Sequence, residues 1–297
     1  MSRFSVVKCD PQKKNDCTKK ILKAFEKKIW VELLPPKGIE ASFPSSSLPA
    51  GSGIIISSSG SIGGPHYCLQ PIENLNQSAL ASGNWLKAQG INPKECLILN
   101  SLPLHHVSGF MPWWRHLTWD AKHHWISPSL MTEPFQLERY CRQLTKNSSQ
   151  SIITSLVPTQ LKSLINDPYG SKWLQSLSLI WVGGSSIPAD IAEKARNQSI
   201  NLAPCYGATE TAAMVTALSP QDFLTGNNSV GSPLEDIEIK INKNNLLKIK
   251  TSRLAIFKWK NDQFESITDS KGWWEAGDLG EYLNIKNISK TFNIYLV

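Results

Sequence analysis

Short apolar runs alternate with amphipathic segments through residues 54–205 of the chain. Runs with the length and composition of buried strands lie at residues 54–56, 96–99, 152–154, 179–182 and 201–205. Apolar residues at helical spacing mark residues 75–87, which end at Gly90, and residues 135–146, and further helices are predicted to begin at Pro158 and Pro188. This order predicts an α/β fold with parallel sheets flanked by helices on both faces.

Single apolar residues alternate with polar ones after about residue 236. Isoleucine stands at every second position from 237 to 241, and Asn244 and Asn245 favour a turn. Further strands are predicted at residues 247–249 and 254–259. This pattern is typical of antiparallel sheet with one exposed face.

The change of pattern divides the chain into two predicted parts. Residues 1–235 are predicted to form an α/β core with a short N-terminal part, and residues 236–297 a smaller antiparallel β-rich subdomain. Residues 35–65 are rich in Pro, Ser and Gly and are interpreted as a linker followed by a loop.

The composition is that of a globular protein: of 297 residues, 41% are hydrophobic and 19% are charged. The chain contains no apolar run of the roughly 20 residues that span a membrane, and its polar, basic N-terminus lacks the apolar stretch of a secretory signal. We therefore predict a cytoplasmic protein without a transmembrane segment. The six cysteines are scattered without a C-x-x-C pair, which favours free thiols.

The formal net charge is +7, and much of the excess lies in the first 28 residues. Such a cluster attracts nucleic acid or an anionic membrane surface. Lysines also form the solvated face of an amphipathic helix, and Ile21, Leu22, Phe25 and Ile29 share one side of such a helix with the lysines largely opposite. The helix interpretation is favoured. The chain carries no recognisable nucleic-acid-binding motif, so no nucleic-acid partner is predicted.

A Ser/Gly loop follows the strand at residues 54–56, and its residues are Ser57, Ser58, Ser59, Gly60 and Ser61. Small residues let the backbone approach an anion, and hydroxyls and amides donate hydrogen bonds to it. The loop is therefore a candidate phosphate cradle, although linkers have a similar composition. It is not a Walker loop, since G-x-x-x-x-G-K-[ST] is absent.

His105 and His106 follow the strand at residues 96–99. A strand that ends near paired histidines can present an imidazole to a ligand. A metal site would need a third ligand, and the spacing of His116, His123 and His124 matches no zinc signature.

The block Y-G-A-T-E, residues 206–210, follows the strand at residues 201–205, at the sheet edge where open α/β sheets bind ligands. Glu210 is a candidate ligand of Mg²⁺, which is commonly held by one or two carboxylates together with substrate phosphates. The alternative is the start of a helix capped by Thr209.

Asp278 lies between Gly277 and Gly280 and is sterically open. Its carboxylate can accept two hydrogen bonds from a diol such as ribose. The alternative is an ordinary turn that contains an aspartate.

Together these blocks resemble the adenylate-forming superfamily of acyl-CoA synthetases, luciferases and peptide-synthetase adenylation domains. Their order is the family's: the Ser/Gly loop, L-P-L-x-H-x-x-G, a G-G-x-x-[IL] turn at Gly183 and Gly184, Y-G-x-T-E and G-W-x-x-x-G-D. The resemblance covers residues 50–282. Within the superfamily, residues 102–109, 155–161 and 216–233 look most like o-succinylbenzoate–CoA ligase, which acts in menaquinone and phylloquinone synthesis.

The resemblance implies a ligase that uses ATP, Mg²⁺ and CoA. A small-molecule carboxylate would attack the α-phosphate of ATP to give an acyl-adenylate, and the CoA thiolate would then displace AMP. The resemblance assigns the Ser/Gly loop to the β- and γ-phosphates, Thr209 to the α-phosphate and Glu210 to Mg²⁺.

The remaining motifs are assigned by the same resemblance. Tyr206 would stack on adenine in a pocket lined by Gly183 and Gly184, and Gly207 belongs to the same nucleotide-binding block. Asp278 would bind the ribose hydroxyls. His106 would border the channel for the carboxylate substrate.

Three features depart from the family pattern. In the Ser/Gly loop, Ile62 stands at a threonine position and His66 at a lysine position, so weaker pyrophosphate handling is expected and His66→Lys is expected to raise activity. The region before the loop is short, and nothing after Asp278 resembles the family's small C-terminal domain, which is expected to be absent. Three alternatives therefore stay open: an impaired nucleotide-binding descendant, completion by another chain or a homo-oligomer, and a ligase for another aryl or acyl carboxylate.

Overall fold

The computed structural model describes residues 4–40, 48–58, 66–146, 149–283 and 291–295, of which residues 282–283 and 291–295 are described by their backbone alone. Strands in these ranges form a six-stranded, a seven-stranded and a four-stranded sheet. Helices and strands alternate through most of the chain, so the predicted α/β class is confirmed.

The first sheet consists of β1 (Phe4–Lys8), β2 (Trp30–Leu34), β3 (Gly53–Ser58), β4 (His66–Pro71), β14 (Phe257–Lys260) and β15 (Gln263–Glu265), in that spatial order. β1, β2 and β3 are parallel, and the remaining neighbours are antiparallel. Ile54 and Ile56 pack into one hydrophobic cluster and Ile55 into another, since successive side chains point to opposite faces of a strand. β3 is therefore buried on both faces, as its apolar run predicts.

Helix α1 (Lys14–Glu26) connects the parallel strands β1 and β2. Ile21 and Phe25 are buried, and the lysines at positions 19, 20 and 23 are exposed, which confirms the amphipathic helix with a solvated lysine face. Lys14 is an exception. Its side chain is buried, with Nζ 4.7 Å from the centroid of the Trp125 ring and 3.5 Å from the carbonyl oxygen of Ile126.

The second sheet consists of β5 (Cys96–Asn100), β6 (Lys122–Trp125), β7 (Ser151–Leu156), β8 (Leu179–Val182), β9 (Leu202–Ala208), β10 (Ala213–Ala217) and β11 (Ser232–Pro233). Their spatial order is β11-β10-β9-β8-β7-β5-β6. Neighbouring strands are parallel throughout β6, β5, β7, β8 and β9. β10 and β11 are antiparallel to their neighbours. The strands predicted in this part are confirmed, but β9 continues beyond residue 205.

The other helices are α2 (Ile72–Ala88), α3 (Val107–Trp119), α4 (Pro134–Thr145), α5 (Pro158–Ile165), α6 (Pro168–Gln175), α7 (Ala189–Asn197) and α8 (Pro220–Leu224), with 3₁₀ turns at Pro93–Glu95 and Leu130–Thr132. The predicted helices are confirmed, with Pro158 at the first position of α5 and Pro188 as the N-cap of α7. Along β5, Leu97 and Leu99 join one core cluster while Cys96 and Ile98 join another. The second sheet is therefore covered on both faces.

The third sheet is antiparallel and contains β12 (Glu238–Ile241), β13 (Leu246–Lys250), β16 (Trp274–Leu283) and β17 (Thr291–Tyr295), in that spatial order. Asn245 has a φ of 60° in the predicted turn before β13. The strand predicted at residues 254–259 begins at Phe257 and pairs with β4 of the first sheet rather than with the third sheet. The antiparallel β structure is confirmed, and the division between residues 235 and 236 stays a prediction.

All six cysteines are free thiols, and five of them are buried. In the described part of the chain, no helix has both the length and the apolar character that a membrane crossing requires.

Candidate functional site

A cleft of about 1210 Å³ is lined by residues from all three sheets. It contains most of the predicted site residues, namely Ser57, Ser58, His106, Gly183, Gly184, Tyr206, Gly207, Thr209, Glu210 and Asp278. Ser59, Gly60 and Ser61 lie outside the described residues. Motifs that are far apart in the sequence therefore meet at one cavity, where loops follow the carboxyl ends of parallel strands.

Glu210 is a buried carboxylate in the connection between β9 and β10, with an exposed fraction of 5%. Its Oε1 accepts hydrogen bonds from Ser58 Oγ at 2.9 Å and from His66 Nε2 at 2.7 Å. Its backbone is also fixed, since the side-chain amide of Gln70 donates to the carbonyl oxygen of Glu210 at 3.0 Å and Ala255 N donates to the same oxygen at 2.7 Å. The carboxylate is therefore held in one position at the wall of the cleft.

The environment of Glu210 keeps its carboxyl group ionised. Burial on its own raises the pKa of Glu210, but the hydrogen bond from His66, together with that from Ser58, brings this pKa below its ordinary value. A negative charge at this point of the cleft is the property required of a ligand for a hard divalent cation.

The alternative in which Thr209 caps a helix is wrong. Tyr206 and Gly207 lie within β9, and the chain then turns back into the antiparallel strand β10, so the block forms a hairpin. Thr211 makes the side-chain hydrogen bonds of this turn, accepting from Ala208 N at 3.0 Å and donating to the carbonyl oxygen of Ala213 at 2.6 Å. Thr209 lines the cleft.

Gly207 is required by the hairpin. A Cβ atom at this position would lie 2.3 Å from the carbonyl oxygen of Ala213 on the paired strand. The backbone of β9 therefore approaches β10 more closely than any side chain allows, and this approach shapes the wall between Tyr206 and Glu210.

Tyr206 and Asp278 are joined by a hydrogen bond in which the phenol donates to Asp278 Oδ2 at 2.6 Å. Both side chains are buried at the cleft. Burial, followed by the adjacent Asp278 carboxylate, raises the pKa of Tyr206 well above its ordinary value, so the phenol stays protonated and continues to donate. This bond links the second sheet to the third.

Gly183 and Gly184 follow β8 and form a wall without side chains. Gly184 has a φ of +90°, in the region that glycine adopts without strain, and a Cβ at Gly183 would lie 3.0 Å from the carbonyl oxygen and Sγ of Cys205. Such a wall lets a flat group approach the backbone.

His106 is the N-cap residue of α3 and lines the cleft, and its ring lies 4.4 Å from that of His105. Burial lowers the pKa of His106, which keeps its imidazole neutral at physiological pH. The role of His106 at the border of a substrate channel stays a prediction.

Arg115 lines the same cleft and was not singled out from the sequence. Its exposed fraction is 4%, and its guanidinium lies 4.9 Å from the centroid of the Trp181 ring. Among the described residues it forms no ion pair, and its Nε has no hydrogen-bond partner. Burial lowers the pKa of Arg115 to about 10, so the side chain remains positively charged at neutral pH. The signal in the sequence was a basic residue within the apolar segment F-M-P-W-W-R of α3.

Fold and cleft together match the large domain of the adenylate-forming proteins, and comparison with known families agrees. The family described as AMP-binding enzyme matches residues 6–250, and this chain belongs to that family.

Curated relatives that match this chain include 2-succinylbenzoate–CoA ligases. That of Escherichia coli K12 is 35% identical over 188 residues, which cover 63% of this chain and 37% of the relative. That of Listeria monocytogenes is 26% identical over 228 residues, which cover 76% of this chain and 46% of the relative. The chain thus spans less than half the length of these two relatives.

Solved structures of similar enzymes share the fold. Escherichia coli MenE with a bound analogue of OSB-AMS superposes with a TM-score of 0.62 at 26% identity, covering 93% of this chain and 58% of that chain. The o-succinylbenzoate CoA synthetase of Bacillus subtilis in complex with the acyl-adenylate intermediate OSB-AMP gives a TM-score of 0.75 at 18% identity, covering 98% of this chain and 67% of that chain. The adenylate-forming large domain is therefore the fold of this protein.

Proposed function

We propose that this chain carries the nucleotide- and acid-binding core of an ATP-dependent acid–CoA ligase whose acid is o-succinylbenzoate. In the reaction, a carboxylate oxygen bonds to the α-phosphorus of ATP while the bond to pyrophosphate breaks, and the CoA thiolate then bonds to the acyl carbon while AMP leaves. The observation that carries the proposal is the arrangement of Glu210, the Tyr206–Asp278 pair and Arg115 along one cleft.

The nucleotide end of the cleft supports the proposal. The Tyr206 ring and the bare wall at Gly183 and Gly184 form a slot for a flat base, and the Asp278 carboxylate suits the hydroxyls of a ribose. The glycines without Cβ atoms allow the close approach that such a slot requires.

Glu210 fits the magnesium ion that accompanies ATP. Its ionised carboxylate lies at the cleft wall beside the Ser58 hydroxyl, and Mg²⁺ is usually bound by one or two carboxylates plus phosphate oxygens. When bound, the cation would neutralise phosphate charge. Thr209 faces the same space and has a hydroxyl to donate to a phosphate oxygen.

The buried positive charge of Arg115 at the cleft favours a dicarboxylate as the acid substrate. o-Succinylbenzoate has two carboxylates, of which one reacts and the other has to be held. A buried guanidinium binds a carboxylate through charge-assisted hydrogen bonds, and the loss of water from the guanidinium has already occurred in the folded protein. Met111 and Trp181 line the cleft with Arg115 and provide apolar contact for an aromatic ring.

One observation favours a second candidate, a protein that binds nucleotide without catalysis. His66 Nε2 already bonds to the Glu210 oxygen that a cation would take. In this alternative the hydrogen bond keeps Mg²⁺ away from Glu210, while the Tyr206–Asp278 end still binds AMP or ATP.

The test is pyrophosphate release from Mg·ATP by the purified chain, with and without o-succinylbenzoate and CoA. Release that requires the acid is expected, and 4-oxo-4-phenylbutanoate, which keeps the succinyl chain and lacks only the ring carboxylate, is expected to replace it poorly. Equal rates with the two acids would contradict the assignment of the dicarboxylate. ATP binding in a calorimeter without any release would favour the second candidate.

A further inference from the structure

A cluster of nitrogen, sulfur and oxygen donors lies where the first and second sheets meet. It consists of His66 Nε2, Cys68 Sγ and the Glu210 carboxylate, and these atoms all lie within 4.8 Å of one another. Ser58 Oγ adds a further oxygen, 2.9 Å from Glu210 Oε1. The sequence analysis did not find this cluster, because Cys68 belongs to none of the family motifs.

The geometry of the strands produces the cluster. His66 and Cys68 are separated by one residue on β4, so their side chains point to the same face of the sheet. In the antiparallel register Ser58 is opposite His66 and Ile56 is opposite Cys68, so Ser58 shares that face. Glu210 comes to it from the β9–β10 hairpin of the other sheet.

The chemistry of the donors differs from that of a magnesium site. Mg²⁺ selects oxygen ligands, whereas imidazole and thiolate are ligands of Zn²⁺ and related cations. Ligand atoms of a tetrahedral zinc ion lie roughly 3.3–3.8 Å apart, so small side-chain rotations within the observed 4.8 Å suffice. His66 and Glu210 also line the cleft, which gives an ion access and leaves a fourth position for water.

We propose that His66, Cys68 and Glu210 form a site for a thiophilic divalent cation, with Zn²⁺ as its representative. The ion bonds to His66 Nε2, to the sulfur and to a carboxylate oxygen. The thiol proton leaves to solvent, and the proton that His66 Nε2 donated to Glu210 is transferred through solvent to Nδ1, so that Nε2 has a free lone pair for the metal. Binding replaces the His66–Glu210 hydrogen bond with two metal–ligand bonds that join the first sheet to the second. It also occupies the carboxylate that the proposed function assigns to Mg²⁺, so the cation inhibits the ligase. The site itself does not depend on the proposed function.

The experiment is a titration of the untagged protein with Co²⁺, a spectroscopic substitute for Zn²⁺, without ATP or acid. The expected result is a thiolate-to-cobalt charge-transfer band that Zn²⁺ abolishes by displacement. Cys68→Ser is expected to remove this band and to weaken cobalt binding by at least about 10-fold. Cys9→Ser is the matched control, because Cys9 is also a buried thiol with a second cysteine, Cys17, nearby, and it is expected to retain the band.

A second variant keeps the test decisive if Cys68→Ser fails to fold. His66→Lys leaves the thiol in place and gives Glu210 a cationic partner, and it is also expected to lack the band. Absence of a band in the wild-type protein at excess Co²⁺, or its persistence in Cys68→Ser, would overturn the proposal. Because the spectra are recorded without substrates, a protein with no ligase activity still gives a decisive result.

Discussion

The phenol of Tyr206 donates a hydrogen bond of 2.6 Å to the carboxylate of Asp278, across a sequence separation of 72 residues. Tyr206 lies on β9 of the second sheet and Asp278 on β16 of the third. The resemblance assigned the two residues to different parts of a nucleotide, adenine and ribose. The structure places them in direct contact, and under the proposed function base and sugar would be bound by one hydrogen-bonded pair.

Tyr206→Phe keeps the aromatic ring and removes this donor. We expect the free energy of unfolding to fall by about 1–3 kcal/mol, because the buried Asp278 carboxylate loses a hydrogen bond. Urea denaturation checks this value. Tyr140→Phe is the matched control, since the Tyr140 phenol bonds to His124 in an exposed pair and its loss is expected to change stability by less than about 0.5 kcal/mol. Equal effects of the two substitutions would contradict the importance of the Tyr206–Asp278 bond.

Arg115→Met tests the proposed acid site. We expect acid-dependent pyrophosphate release to fall at least about 30-fold in kcat/KM for o-succinylbenzoate, because the second carboxylate loses its cation. The affinity for AMP is expected to stay within about 2-fold of the wild-type value, since AMP is assigned to other residues. Protein stability should not fall, because the substitution removes a buried charge without a carboxylate partner. Parallel losses of AMP binding and acid use would argue against a specific role.

Lys14→Met tests the cost of burying an amine. Burial lowers the pKa of Lys14 from 10.5 to about 8, so below pH 8 the folded protein holds a buried charge that the unfolded chain exposes to water. Between pH 8 and 10.5 the unfolded state binds more protons than the folded state. The free energy of unfolding of the wild-type protein therefore rises with pH in this range, as the cost of the buried charge disappears. We expect Lys14→Met to stabilise the protein by about 1–3 kcal/mol at pH 7, and by progressively less above pH 8.

Urea denaturation at pH 7 and pH 10 measures this difference. Lys23→Met is the control, because Lys23 lies on the exposed face of the same helix. A gain from Lys14→Met that is as large at pH 10 as at pH 7 would show that the amine charge is not its cause.

Gly207→Ala tests the close approach of β9 and β10. The new Cβ would lie 2.3 Å from the carbonyl oxygen of Ala213, and a paired strand cannot move away easily. We expect a loss of about 3 kcal/mol or more in the free energy of unfolding. Gly226→Ala is the comparison, since Gly226 has a φ of +102° but no atom within 4 Å of its added Cβ, and a smaller loss of about 1 kcal/mol is expected there.

His66→Lys places a fixed positive charge beside Glu210, at the position where the family pattern has a lysine. We expect faster acid-dependent pyrophosphate release, because a lysine beside Glu210 can neutralise a departing pyrophosphate at any pH at which the enzyme works. Single-turnover measurements would show the change in the adenylation step. An unchanged single-turnover rate would contradict this expectation.

Local patterns predicted much of the fold because strands and helices of the α/β part depend on apolar spacing that is visible in short windows. The strand at residues 54–56 and the helices that begin at Pro158 and after Pro188 are examples. The sheet to which the strand Phe257–Lys260 belongs could not be predicted. Its pairing with β4 rather than with β13 depends on contacts distant in sequence. The continuation of β9 into a hairpin was missed for a similar reason, since Y-G-A-T-E is equally compatible with a turn into a helix.

The motifs predicted which residues meet at the cleft, but not the bonds among them. The hydrogen bond between His66 and Glu210 and the buried position of Arg115 both require knowledge of how the first two sheets are placed. Arg115 carried a local signal, a charge in an apolar helix, that a search for family motifs passes over.

The place of β14 has a consequence for synthesis on the ribosome. β3 and β4 pair early, but the second edge of β4 is covered only by β14, after the entire second sheet has been made. Until then the nascent chain presents the unpaired backbone groups of β4, which are a template for pairing with another chain. Shortened chains that stop before Phe257 would lack β14, and the edge of β4 that pairs with β14 would be left open to pairing with another chain.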